Sequence, residues 1–126
     1  IRSKGIEPIL FMSWPYKNKP EMQQKLEKEF FKVSKLNDLR MVPAGQAFLY
    51  VNMNFSNINL YTEDLRHPSK EGTYLAALMI FTTLSNKSPI GNTYMMGLDS
   101  EVAKTLQEVA WMVHKNFKKR TRNPSL

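Results

Sequence analysis

Residues 60–77 have the sequence LYTEDLRHPSKEGTYLAA. Within this segment Asp64 precedes His67 by three residues, a spacing at which both side chains can face the same side of a turn. The carboxylate can then accept the imidazole Nδ1–H, fix the tautomer and stabilise the imidazolium that forms when Nε2 takes up a proton. The spacing therefore predicts an acid–base pair. The simpler interpretation is a capping aspartate beside an unrelated histidine.

A helix is predicted to begin directly after this pair. Ser69 can cap its N-terminus, Glu71 lies in the first turn, and Gly72 allows close approach of a neighbouring backbone. Pro68 stiffens the connection between His67 and the helix. A short, stiff connection to a packed helix would keep the imidazole in a fixed orientation, as a catalytic base requires.

On either side of this segment the hydrophobic pattern alternates between strand and helix. The apolar run 8–14 is typical of a buried parallel strand covered on both faces, and residues 40–43 predict a second strand. The predicted helices cover residues 21–37, 44–51, 70–86 and 100–117. The pattern of 44–51 also permits a strand, and residues 52–59 are predicted to form a loop. One face of the first helix is apolar and is predicted to be buried; it comprises Met22, Leu26, Phe30 and Val33.

Four blocks resemble the C-terminal part of SGNH/GDSL-type ester hydrolases, and they occur along the chain in the same order as in that family. Residues 60–77 resemble the family's last conserved block, in which Asp-x-x-His supplies the acid and base of a catalytic triad before the final core helix. Residues 8–14 resemble the penultimate sheet strand, and residues 42–48 resemble the last strand with the turn that follows it. Residues 87–92 and 106–111 resemble the end of bacterial members. The resemblance covers most of the chain, roughly residues 6–113.

The nucleophile block of that family, Gly-Asp-Ser, is absent from the sequence, as are its oxyanion-hole Gly and Asn blocks. The segment 97–100, Gly-Leu-Asp-Ser, follows the histidine block and opens a helix, so its order and context do not fit. The elbow pattern Gly-x-Ser-x-Gly is absent too. The resemblance therefore implies an α/β fold for residues 1–114: the C-terminal half of a three-layer α/β/α, flavodoxin-like parallel-sheet domain of the SGNH hydrolase type. Its open strand edge would be completed by the missing N-terminal half or by self-association.

The function that the resemblance implies is acyl transfer from an ester to water, with Asp64 and His67 as the acid and base of the triad. It implies no metal or cofactor, and a small-molecule or carbohydrate ester as substrate. Because the nucleophile and the oxyanion hole are missing, we expect this chain alone to be inactive and the parent protein to be an enzyme. The alternative is a non-catalytic binding or interaction module derived from the same fold. An exported or periplasmic location is implied by the resemblance alone.

Composition restricts the remaining classes of function. Hydrophobic content of 42% and charged content of 23% are globular values, and no apolar run approaches the roughly 20 residues of a transmembrane segment. The absence of cysteine excludes disulfides and thiolate metal sites. Most of the net charge of +7 lies in a basic tail, residues 115–126, whereas residues 1–114 carry a net charge of +2. We expect this tail to be solvated, so a nucleic-acid or membrane-surface binder is the weakest hypothesis.

Other candidate functional residues have simpler structural interpretations. His114 has no acidic neighbour three or four positions away and is predicted to be a surface histidine. Glu63, Asp64 and His67 are legitimate metal ligands, but no spacing supplies a further ligand, so no metal site is predicted. Trp14 lies at the carboxyl end of a predicted parallel strand, where such sheets form ligand sites. It either borders a substrate cleft or packs in the core.

Overall fold

A parallel β–α–β unit forms the first third of the chain, whose computed structural model describes residues 1–122. Strand β1 (Ile9–Phe11) is followed by helix α1 (Met22–Asn37) and by strand β2 (Arg40–Val42). The two strands pair in parallel, with Leu10 opposite Met41. The intervening helix is the crossover that a parallel pair requires.

Three further helices supply most of the core. They are α2 (Ala44–Asn54), α3 (Lys70–Ser85) and α4 (Ser100–Arg122). These helices pack on one another, and α3 also packs on β2. The largest fully buried apolar side chains that they and the segment before α3 contribute are Phe48, Val51, Leu60, Tyr61, Leu75, Met79 and Leu106.

The sheet is much smaller than the sequence resemblance implies. Residues 1–122 contain one two-stranded sheet and are mostly helical, so the prediction of half of a three-layer, flavodoxin-like α/β/α domain is wrong. The apolar run 8–14 yields a strand of three residues that pairs along one edge only. Ile9 and Leu10 are half-buried and Phe11 is 38% exposed. A continuous apolar run indicates a tendency to be buried, but it does not specify how many strands lie beside it.

The helix predictions are confirmed, with small shifts in the helix ends. Helix α2 is a helix rather than a strand, and it extends into the predicted loop as far as Asn54. Helix α3 begins after Ser69 and ends at Ser85, and the left-handed φ of 56° at Asn86 stops it. The first residues of the predicted basic tail, 115–122, continue α4, and residues 123–126 lie outside the described part. No described helix is both long and apolar enough for a bilayer crossing.

The apolar face of α1 is less buried than its spacing predicts. Every position of that face is half-buried or exposed: Met22, Leu26, Phe30 and Val33. Val33 is 41% exposed, and the buried residue of this helix is the polar Gln23. Helical spacing identifies the residues that share a face, whereas the element that covers the face depends on tertiary packing. The described residues therefore cover the apolar face of α1 only in part.

Candidate active site

Asp64 organises the loop that follows Thr62. Its Oδ1 accepts hydrogen bonds from the Thr62 hydroxyl at 2.8 Å and from the backbone N–H groups of Arg66 and His67 at 2.9 Å each. These bonds close a tight turn in which Leu65 adopts a left-handed φ of 61°. Aspartate stabilises such turns by bonding backbone groups two or three residues ahead. Oδ1 therefore fixes the loop backbone, and Oδ2 remains for another partner.

The partner of Oδ2 is the ring of His67, whose Nδ1 lies within hydrogen-bond distance. This side-chain hydrogen bond has the largest effect in holding the pKa of the Asp64 carboxyl below its usual value of 3.8. The backbone N–H groups of His67 and Arg66 and the Thr62 hydroxyl lower the pKa of Asp64 further. An ionised carboxylate at this position favours the tautomer with the proton on Nδ1. Nε2 of His67 then carries the lone pair that can accept a proton.

The His67 ring is open to solvent. Its side chain is 78% exposed, and the Asp64 side chain is 46% exposed. Among residues 1–122, Nε2 of His67 has no hydrogen-bond partner, whereas Nδ1 has Asp64. The imidazole is therefore oriented by the hydrogen bond at Nδ1, while Nε2 remains accessible.

The end of the loop is tied to the start of α3. The Thr62 N–H donates to the His67 carbonyl, and the Ser69 N–H donates to the Leu60 carbonyl, both at 2.9 Å. The Ser69 hydroxyl accepts the Gly72 N–H at 3.1 Å, which confirms the predicted helix cap. The short connection from His67 to a packed helix limits how far the loop can move.

A second segment of the chain, residues 14–17, holds the loop across about fifty positions of sequence. The Trp14 Nε1–H donates to the Arg66 carbonyl at 3.0 Å. The backbone N–H of Lys17 donates to the Leu65 carbonyl at 2.9 Å. Since residues 14–17 follow β1, these contacts place the pair beyond the carboxyl end of a parallel strand, where α/β proteins form ligand sites.

Trp14 packs against the core, which is one of the two roles that the sequence left open, and it also anchors the Asp64–His67 loop. Its ring stacks on the buried Phe48, with ring centres 4.2 Å apart and planes 6° apart, while its N–H holds the loop. Nearby, the Tyr61 hydroxyl donates to the Pro15 carbonyl at 2.8 Å and ties the same two segments together. Sequence reasoning missed both hydrogen bonds. They could have been anticipated from chemistry, because a buried or partly buried indole N–H or phenol O–H needs a hydrogen-bond acceptor.

We expect Trp14→Phe to keep an aromatic ring on Phe48 but to remove the hydrogen bond to the Arg66 carbonyl. The free energy of unfolding should fall by about 1 kcal/mol, the net value of a typical hydrogen bond. Backbone NMR relaxation should show greater mobility at residues 65–67. Trp111→Phe on α4 is the matched control. Equal mobility of the loop in the two variants would contradict the anchoring role of Trp14.

The segment 97–100, the only partial resemblance to a nucleophile block, has a structural role. Asp99 Oδ1 accepts the backbone N–H groups of Glu101 and Val102 at 3.0 and 3.2 Å, so Asp99 caps α4, whose first residue is Ser100. In the part of the chain that the structure describes, no hydroxyl group hydrogen-bonds the His67 ring. Nor do three or more His, Asp or Glu side chains form a potential metal site there.

The prediction that His114 is a surface residue is wrong. Its side chain is 7% exposed, its ring stacks on Trp111 with centres 5.5 Å apart, and its Nε2 lies 3.1 Å from Asn86 Oδ1. Burial, followed by the charges of Lys118 and Arg40, lowers the pKa of the imidazole below its usual value of 6.5. The sequence of α4 alone could not show this, because the covering residue belongs to the end of α3.

This environment predicts a pH-dependent stability. The pKa of His114 is lower in the folded than in the unfolded chain, so the unfolded state binds more protons below about pH 6.5, and stability falls as the pH decreases. Above that pH both states are neutral at this residue. The lowered pKa of Asp64 affects the free energy of unfolding only at lower pH, below about 3.8. Urea unfolding at about pH 7.5 and about pH 5.5 measures this effect. Between these two pH values the free energy of unfolding should fall less for His114→Gln than for wild type. A loss of equal size would contradict the prediction.

Comparison with known proteins does not identify a relative. No protein-family model, no curated protein and no solved structure matches the chain. The functional assignment therefore depends on the residues of the Asp64–His67 loop and on the geometry that the fold gives them.

Proposed function

We propose that this chain supplies the general base and its orienting carboxylate to a serine ester hydrolase. The observation that carries the proposal is that the two carboxylate oxygens of Asp64 have different hydrogen-bond partners. One carboxylate oxygen makes all the turn-forming bonds, and the other binds Nδ1 of His67. A residue that only shaped the turn would need the first oxygen alone. The second oxygen gives the imidazole the tautomer and the electrostatic support that a general base requires.

In this proposal the serine nucleophile and the oxyanion donors come from a segment that residues 1–122 do not include. Nε2 of His67 removes the proton of the serine hydroxyl as the oxygen attacks the ester carbonyl, and Asp64 stabilises the imidazolium that forms. His67 then protonates the departing alcohol. In the second half-reaction it activates the water that hydrolyses the acyl-enzyme. The exposure of Nε2 is consistent with a reacting group that another segment delivers.

The proposed substrate is a small-molecule or carbohydrate ester. Arg66 and Tyr16 lie beside the pair and would border such a substrate. Arg66 is exposed, Tyr16 is half-buried, and the guanidinium lies 4.9 Å from the centre of the tyrosine ring. An aromatic ring and a guanidinium can both contact sugar hydroxyls or an aromatic leaving group. These groups, like the catalytic pair, lie beyond the carboxyl end of β1.

A fluorophosphonate probe, which labels activated serines, tests the proposal. Residues 1–126 alone should not be labelled and should not hydrolyse p-nitrophenyl acetate faster than the His67→Ala variant. The parent protein that contains the nucleophile should be labelled, and His67→Ala should abolish the labelling. Turnover by the isolated chain that His67→Ala removes would place the nucleophile within this chain. A parent protein that is folded but not labelled would favour the non-catalytic binding module instead.

The orientation of the pair can be tested without any substrate. Nitrogen-15 NMR of the imidazoles should show a proton on Nδ1 of His67, with a strongly downfield shift. Asp64→Asn should shift that proton upfield, whereas Glu63→Gln, a neighbouring carboxylate outside the pair, should not. An unchanged His67 spectrum in Asp64→Asn would contradict the proposed coupling.

A further inference from the structure

A cavity of about 430 Å³ opens at the end of the sheet opposite the Asp64–His67 loop. Arg40, the first residue of β2, lies in its wall, whereas the loop contacts residues that follow the end of β1. The ends of α1 and α3 and the last turns of α4 complete the wall. The cavity is therefore separate from the proposed active site and has no role in the reaction described above.

The polar wall of this cavity is basic. It contains Arg40, Lys118 and the buried His114, which come from β2 and α4. Among residues 1–122, no carboxylate contributes to the cavity lining. The carboxylate that pairs with Arg40 is that of Glu7, at 3.5 Å, and Glu7 is outside the lining and 58% exposed. This ion pair compensates part of the charge of Arg40, whereas no carboxylate among the described lining residues compensates Lys118.

The basic groups in this wall are bonded to neutral oxygens. Lys118 Nζ and His114 Nε2 converge on the same atom, Asn86 Oδ1, at 2.8 and 3.1 Å. Arg40 Nη2 donates to the Thr83 carbonyl at 2.5 Å. The C-terminus of α3 offsets part of the charge, but a helix end is equivalent to only about half an elementary charge. Lys118 therefore faces a neutral amide, whereas Arg40 faces the end of α3 and the exposed Glu7 carboxylate.

A hydroxyl group in the same wall lacks a partner. Thr83 Oγ1 is buried and makes no hydrogen bond within the described residues. Buried hydroxyls are normally hydrogen-bonded, so this oxygen is an unsatisfied polar atom beside the cavity wall. Ser34 and Thr121 add two further hydroxyls to the lining. Their hydroxyls donate to the Leu39 and Lys118 carbonyls, so the charged donors that remain for an anion are those of Arg40 and Lys118.

The remaining wall is apolar and consists of Leu39, Met41 and Phe117. The volume lies within the range of roughly 300–1,000 Å³ that is usual for small-molecule sites. From this combination we propose that the cavity binds a small organic anion, with its phosphate or carboxylate group between Arg40 and Lys118 and its apolar part against Phe117. The proposal is independent of the ester hydrolase function, and its test requires no activity.

Titration of the isotope-labelled chain with phenyl phosphate, followed by NMR, tests this site. We expect saturable shifts at Thr83, Asn86 and His114, with half-saturation at about 1 mM or below. Benzyl alcohol, which keeps the ring but lacks the charge, should produce no saturable shift at these residues. Benzoate tests whether a carboxylate serves as well as a phosphate, and binding of either anion supports the proposal.

Two variants on the same helix separate a specific site from general attraction to a basic protein. Lys118→Met removes a cavity cation and should weaken binding at least tenfold, since hydrogen bonds to charged groups are the strong ones. Lys119→Met removes the same charge from an exposed neighbour outside the cavity and should change the affinity less than twofold. Equal weakening by the two variants would overturn the proposal. So would the absence of saturable shifts, or inorganic phosphate binding as tightly as phenyl phosphate, because the apolar wall would then have no role.

Discussion

In the proposed parent ester hydrolase, His67→Ala should lower kcat by about four to six orders of magnitude, the range for loss of a triad histidine. The alanine variant lacks the imidazole that accepts the serine proton in the proposed mechanism. Because the His67 side chain is 78% exposed, the fold should be unaffected. Steady-state kinetics with p-nitrophenyl acetate measure the effect, and circular dichroism with urea unfolding verifies that the variant remains folded.

Asp64→Asn should lower kcat by a similar or smaller factor, up to about four orders of magnitude. The amide oxygen can still accept the turn-forming N–H groups of Arg66 and His67, but the charge that supports the imidazolium is lost. The double variant should be little worse than His67→Ala, because the two residues act as a unit. Glu63→Gln is the matched control and should leave kcat within about twofold, as expected of a surface residue outside the pair. If His67→Ala left kcat/KM near the wild-type value, the pair would be a structural turn only.

Gly72→Ala should destabilise the chain by about 3 kcal/mol, although alanine ordinarily favours a helix by about 1 kcal/mol over glycine. A Cβ at this position would lie 2.2 Å from the Leu60 carbonyl oxygen, a backbone atom that cannot move independently. The Leu60 carbonyl also accepts the Ser69 N–H at 2.9 Å, so the clash would disturb the base of the Asp64–His67 loop. Urea unfolding should show the loss, and NMR should show changed signals at His67.

Glu71→Ala is the control for this prediction. It introduces the same side chain one position earlier in α3, where no such contact with a backbone carbonyl arises. Its cost should be below about 1 kcal/mol, the contribution of an acidic residue to the first turn of a helix. A Gly72→Ala variant as stable as Glu71→Ala would show that α3 can move away from Leu60 without cost.

The parts of the site that sequence could predict are those fixed by local chemistry. The three-residue spacing from Asp64 to His67, the proline that follows and the serine cap all act within one turn and the helix start. The structure brings the two predicted residues together as a hydrogen-bonded pair. Local backbone bonding determines this arrangement, so no knowledge of distant segments was needed.

The parts that sequence could not predict depend on contacts between distant segments. Trp14 and Arg66 are separated by 52 positions, and no local pattern indicates that their indole and carbonyl meet. His114 is covered by the end of α3, 28 positions earlier, so its own neighbours gave the wrong environment. The prediction of the extent of the sheet was wrong for a related reason. The apolar run 8–14 carries no information about the number of strands that pair with it.

The exposure of His67 also has a consequence for how this sequence changes over evolutionary time. Exposed side chains outside the core are replaced with little effect on folding, so folding alone would not preserve a histidine at this position. Joint retention of Asp64 and His67 among descendants, while Glu63 varies freely, would therefore report selection on chemistry. Lineages that keep Asp64, Ser69 and Gly72 but lose His67 would have kept the scaffold after abandoning the reaction.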